Sequence, residues 1–236
     1  MKIDFFVCDY FHKLHFFRNE LNTMKKYNSH SEIYWQSVSE DVNNSMLCEL
    51  NDAETEEHEN IVDAYVEELI VAQSTAPRFH REALLVSIYC QTEYTLLDFC
   101  SCFNQEVMNR KSNFDSLSKH SVLNNIQDYL QKVMGFDLSE FNYEWGYLKN
   151  IKLIRNRLVH SNGKVVMNID EINSFCEKNK NFIIKNEFIL MRKDAIEDFI
   201  KTLFHLLDIL EGENQKLITR HQEKHGVYNH LPICNI

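Results

Sequence analysis

The sequence predicts an all-α helical bundle with one small β-hairpin near its C-terminal helix. Two observations carry that reading. The first is punctuation: 236 residues contain only 5 Gly and 2 Pro. Sandwiches, barrels and doubly wound α/β folds turn tightly and often, and such turns draw on Gly and Pro. The second is periodicity. Apolar residues recur at helical spacing through most of the chain, and a single short stretch reads as strand.

Taken in order, residues 1–27 carry Phe5, Cys8, Phe11 and Leu14, then Phe17, Leu21 and Met24, as one helical face. A weaker helical stretch over 31–50 passes through Ile33, Val38, Val42 and Leu47. Acidic residues crowd 52–59 and lead into a third helix through Ile61, Ala64, Tyr65 and Leu69. Negative charge at that end suits the helix dipole. Ser74 to Pro77 reads as the first break, with Pro77 as a stop. From Phe79 to about Arg110 runs the most apolar helix, expected at the centre of the bundle.

The polar stretch 109–121 separates it from a helix ending near Met134 and Gly135. Asp137 to Ser139 opens the next helix, which runs through Trp145 and Leu148 to His160. Ser161-Asn162-Gly163 stops it. A short helix covers 170–178. Phe182, Ile183 and Ile184, then Phe188, Ile189 and Leu190, flank the polar Lys185-Asn186-Glu187 as a hairpin. The last helix starts near Asp194 and carries Ile196, Phe199, Ile200, Leu203, Phe204, Leu207 and Leu210. This divides the chain into an N-terminal helical layer (1–76), a main helical domain (77–225) and a tail (226–236).

Several function classes fall away. The five glycines stand too far apart to write a G-x-G-x-x-G fingerprint or a Walker A loop. No G-x-S-x-G elbow is present. A net charge of -10 gives no global attraction to nucleic acid or anionic membrane, so a polyanion site must be a local basic patch. Apolar runs are too short to span a bilayer. Asp4, Asp9, His12 and Lys13 break the N-terminal one, which disqualifies it as a signal peptide. The Phe and Tyr stripe of residues 5–17 reads as a core or interface face rather than a membrane-surface one. Seven cysteines with no C-x-x-C pair indicate a reduced, cytoplasmic protein. His221 and His225 stand one turn apart, but His-Gln-Glu-Lys-His lacks the zinc-protease order. The tail reads as solvated, and no metal or cofactor is expected.

One stretch departs from the acidic background. Lys149, Lys152, Arg155, Arg157 and Lys164 fall between Tyr147 and Lys164 with no acid among them. On a helix, Leu148, Ile151, Ile154 and Leu158 share an apolar face, while Lys149, Lys152, Asn156 and His160 share the opposite stripe. Arg155 sits at the border, about 140° from His160. A guanidinium at a packed border demands a partner or an anionic ligand. Histidine moves protons near neutral pH, and the arginine fork suits charge developing on phosphorus.

Arg155-Asn156-Arg157-Leu158-Val159-His160 resembles the R-x(4-6)-H signature of the HEPN superfamily (higher eukaryotes and prokaryotes nucleotide-binding). Asn156 supplies the polar residue typical after the Arg. The upstream apolar helix, with Ser87, Glu93 and Asp98, resembles the HEPN helix that carries an acidic residue toward the active site. The resemblance covers about residues 78–213; residues 1–75 have no counterpart in it. It implies a metal-independent endoribonuclease of a bacterial toxin-antitoxin, abortive-infection or antiviral system. RNA would be cut by its own 2′-OH. The resemblance also implies a homodimer whose paired motifs form one cleft, with an antitoxin or other defence protein as a further partner. His160 and Arg155 would then be catalytic. Asn156 would orient His160 or bond a phosphate oxygen, and Glu93 would hold Arg155 or assist as an acid/base group. Lys149, Lys152, Arg157 and Lys164 would bind the RNA backbone. The alternative is a non-catalytic module of the same fold that binds a nucleotide, RNA or a protein.

Overall fold

With so few residues that break a helix, the chain winds for long stretches without interruption. The computed structural model describes residues 3–109 and 122–226. It contains α1 (Asp9–Asp52), α2 (His58–Ile70), α3 (Ala76–Glu106), α4 (Val122–Lys132), α5 (Asn142–Ser161), α6 (Ile169–Lys178) and α7 (Ala195–His225). Between α6 and α7 stands an antiparallel hairpin of β1 (Phe182–Lys185) and β2 (Phe188–Met191), with Phe182 opposite Met191 and Lys185 opposite Phe188. The fold is all-α with one small hairpin, as the sequence predicts. The polar stretch from 110 to 121 and the end of the tail lie outside the described residues.

Two helix boundaries differ from expectation. Residues 1–27 and 31–50 do not form two helices; α1 runs for 44 residues without a break. Tyr27 to His30 contains neither Gly nor Pro, so nothing there stops the winding. Nor is Pro77 a stop. α2 passes into α3 through a π turn over Val71–Thr75, in which the Ala76 N–H bonds the Val71 carbonyl five residues back. A π turn interrupts the i→i−4 ladder, and an interrupted ladder is where a residue without an N–H costs least.

The chain forms two compact units that are interleaved in sequence. One comprises Met1–Leu21, Tyr89–Lys149 and Lys201–Ile236; the other comprises Asn22–Ile88 and Asn150–Ile200. α1, α3, α5 and α7 each contribute a stretch to both, so the unit boundaries fall elsewhere than at residue 76.

The first unit is centred on Tyr10, which is fully buried. Its ring stands edge-on to Phe103 at 5.2 Å, edge-on to Phe5 at 6.3 Å and tilted to Phe99 at 5.7 Å. Such a cluster adds aromatic pair geometry to large apolar burial. The Glu106 carboxylate accepts the Asp9 and Tyr10 amides at 3.1 Å each. It thereby caps the start of α1 from the far end of α3, with the sign the dipole favours.

In the second unit, Leu84, Leu85, Ile88, Ile151, Ile154, Ile196 and Phe199 are buried. Arg81 grips Glu32 with two parallel hydrogen bonds, Nε to Oε1 at 2.6 Å and Nη2 to Oε2 at 2.5 Å. Its Nη1 donates to the Met191 carbonyl at 3.3 Å, so one side chain ties α1, α3 and β2 together. Among the described residues, no helix is long and apolar enough to cross a membrane.

Candidate functional site

The basic stretch lies on α5. Its apolar stripe packs as expected: Leu148, Ile151 and Ile154 are buried and Leu158 is half-buried. The end of the helix is fixed by backbone chemistry. Asn162 (φ 49°) and Gly163 (φ 81°) are both left-handed. The Gly163 N–H bonds the Arg157 carbonyl at 3.0 Å, and the Lys164 N–H bonds that of Ser161 at 2.9 Å. This satisfies carbonyls that the last turn leaves open. A side chain at Gly163 would be strained by its φ and would meet Leu158 Cδ2 at 3.5 Å.

The chain then lies along β2. The Val165 N–H bonds the Glu187 carbonyl at 2.8 Å, and the Ile189 N–H bonds the Gly163 carbonyl at 2.9 Å. Asn186 (φ 50°) and Glu187 (φ 68°) form the left-handed two-residue turn of the hairpin. The hairpin therefore clamps the segment directly after His160, which gives it a structural role in the candidate site.

The predicted residues are placed as follows. Arg155 is half-buried, its Nε out of solvent, and its Nη1 donates to Asn156 Oδ1 at 3.0 Å. Asn156 is half-buried beside it, and His160 is exposed in the last turn of α5. Of the two roles open to Asn156, Oδ1 is engaged with the guanidinium; the donating NH2 is the polarity a phosphate oxygen accepts. Lys152 and Arg157 are half-buried. Lys164 is exposed and pairs with Glu187 at 3.1 Å. Lys149 is exposed and donates to Gln127 at 3.2 Å. Glu93 accepts a hydrogen bond from Tyr89, one turn earlier on α3, at 3.1 Å. Lys149 and Glu93 belong to the first unit, and the other site residues to the second.

Sequence reasoning missed the α3 residues that stand beside the end of α5. Phe79, Glu82, Ala83 and Val86 share a hollow of about 340 Å³ with Leu158, Val159 and Asn162. Burial raises the Glu82 carboxyl above the usual carboxylate range, opposed by the Arg78 guanidinium 3.2 Å away. The only local signal was the Arg78–Glu82 spacing of one turn, which ordinary surface helices share. A larger cavity, about 640 Å³, adjoins this hollow and shares Phe79 and Ala83 with it.

The tail histidines are explained by packing. The His221 ring stands edge-on to Phe5 at 5.2 Å and 4.6 Å from the His225 ring. Among the described residues, no three His, Cys, Asp or Glu side chains gather as a metal site. No protein-family model, curated protein or solved structure matches the chain.

Proposed function

We propose that the chain is a HEPN-type, metal-independent endoribonuclease. In this reading it acts as a cytoplasmic homodimer in a bacterial toxin-antitoxin or antiviral defence system. One observation carries the reading: a half-buried Arg155 tied to Asn156, one turn before an exposed His160, on a stretch of α5 without acids. His160 takes the proton of the 2′-OH as its oxygen attacks phosphorus. Arg155 steadies the negative charge gathering on the phosphoryl oxygens. Asn156 holds the guanidinium in place. The bond from phosphorus to the 5′-oxygen breaks, and that oxygen takes a proton, leaving a 2′,3′-cyclic phosphate and a 5′-OH.

A separation of about 140° between Arg155 and His160 on one helix supports the dimer. Two copies surround one phosphate more readily than one, and a second copy's His160 can protonate the leaving oxygen.

The test is incubation of the purified protein with mixed RNA in EDTA. Cleavage with 2′,3′-cyclic phosphate ends is expected. His160→Ala should lose about 10²-fold or more in rate with the fold intact, and Arg155→Ala a comparable amount. Arg155→Lys should restore only part, because an ammonium cannot replace a planar fork. Light scattering should report a dimer. A well-folded, fully active His160→Ala protein removes the catalytic reading and leaves the binding module.

A further inference from the structure

The 640 Å³ cavity beside the candidate site is walled by rings. Tyr27 and Trp35 come from α1, and Phe79 and His80 from α3. Tyr27 stands edge-on to His80 with ring centroids 5.2 Å apart, and His80 Nε2 donates to Asn28 Oδ1 at 3.3 Å, so two of the four rings are braced. The rest of the walls is aliphatic, from Val71, Ala76, Ala83 and Leu84, with hydroxyls from Ser31, Thr75 and Ser87. Among the described residues, no Lys, Arg, Asp or Glu lines it.

That inventory selects its occupant. A phosphate or carboxylate finds no cation there, and an ammonium finds no carboxylate. An aliphatic chain would offer the three hydroxyls no partner. A flat, neutral ring system with hydrogen-bonding edges fits: its face stacks on the aromatic walls and its edge meets the hydroxyls. The volume lies within the range of small-molecule pockets and is ample for a single base.

The surroundings say which flat ring. Phe79 is 72% exposed and Tyr27 58%, so both faces are open to a ligand from solvent. Phe79 also lines the hollow whose opposite wall is Leu158, Val159 and Asn162, the turn that holds His160. A ligand with a phosphate at the α5 terminus and a base nearby therefore meets Phe79 on its way into the larger cavity.

We propose that this cavity is a nucleobase subsite, which holds an unpaired base of a single-stranded RNA whose backbone lies at the end of α5. The inference rests on the ribonuclease reading for the identity of the polymer. It makes a prediction of its own: unpaired RNA is preferred over duplex, because a paired base must first be unpaired and unstacked, which costs free energy, before it can enter.

The probe is a fluorescein-labelled 2′-O-methyl RNA octamer of mixed sequence, which has no 2′-OH to attack, followed by anisotropy in EDTA. Wild-type protein should bind it, and the same octamer annealed to its complement should bind at least 10-fold more weakly. Phe79→Ala and Tyr27→Ala should each weaken octamer binding about 10-fold, a size typical of one lost base–aromatic stack. In cleavage of unmodified RNA the loss should appear in KM, while kcat under saturation stays near wild type. Phe79→Trp should retain binding, which separates stacking from a mere effect on folding. Octamer binding unchanged in both alanine variants overturns the subsite, while the ribonuclease reading stands if RNA is still cut. Binding that depends on Phe79 without cleavage keeps the subsite and removes the ribonuclease reading. Equal binding of single-stranded and annealed octamer overturns the subsite.

Discussion

Two regions of this molecule use the same residue types in opposite ways. In the first unit, Phe5, Tyr10, Phe99 and Phe103 are each less than 5% exposed; Phe5 and Phe103 pack edge-on to Tyr10, and Phe99 packs tilted to it. In the second, Tyr27 and Phe79 are more than half exposed and line an open cavity with Trp35 and His80. α1 belongs to both regions. Its first stretch buries Tyr10, Leu14, Phe17 and Leu21, whereas beyond Asn22 only Asn28 and Val42 fall in the buried class. Aromatic content therefore says little about role. Closure by neighbours makes a ring part of the core, and open faces on several sides of one space make a wall that a planar ligand can use.

Paired substitutions break that comparison most sharply. Phe99→Ala in the first region should lower unfolding stability by about 3–5 kcal/mol, through lost transfer energy and the cavity left behind. Phe79→Ala should change it by about 0.5 kcal/mol or less, since its ring is already in water. Urea unfolding followed by far-UV circular dichroism measures both. A comparable loss at the two sites would mean that Phe79 is core and that the cavity is closed.

A smaller effect is expected at Arg81. Arg81→Met leaves Glu32 without its fork and cuts the link to β2, at about 1–2 kcal/mol for a half-buried charged pair. Hydrogen exchange should rise first in the hairpin, whose edge also holds the segment after His160. Exchange that rises evenly over the whole chain would deny that local link.

The smallest change is at Glu82. Burial lifts its carboxyl above the ordinary range, with Arg78 opposing. An acid with a raised folded-state pKa favours the native state only when protonated. Its penalty is therefore present at neutral pH and vanishes once pH falls below the ordinary carboxylate value. Glu82→Gln should raise the urea midpoint slightly at pH 7 and leave it unchanged near pH 3.5. A lower midpoint at pH 7 would show that the pair with Arg78 outweighs burial.

Much of this architecture was legible because it depends on local chemistry. Ser161-Asn162-Gly163 announces the end of α5, since two left-handed residues in a row call for Asn and Gly. The hairpin is legible because two apolar runs flank a polar turn. The motif of Arg155, Asn156 and His160 is contiguous, so it stands out in one dimension. Tyr27, Trp35, Phe79 and His80 lie on two helices, and neither helix shows in isolation that the other faces it. Glu82 reads as an ordinary surface acid until Leu158 and Val159 are beside it. Pro77 misled because the rule against it assumes an unbroken α ladder, which the π turn suspends.

That π turn has a consequence for which changes the chain tolerates. Of the five residues in the turn, Gln73 and Ser74 are exposed and stand outside the cavity lining, so their side chains are free to vary widely. The length of the turn is not. A wide turn is in effect one residue inserted into a helix, and each residue advances an α-helix by about 100°. Removing one residue would restore a regular helix and turn everything after it by that amount relative to α2. Arg81 would leave Glu32, and Phe79 would leave the cavity it shares with Tyr27. At Gln73 and Ser74 the count of residues is under tighter constraint than their identity: relatives of this chain should vary freely at those two positions but neither lengthen nor shorten the turn.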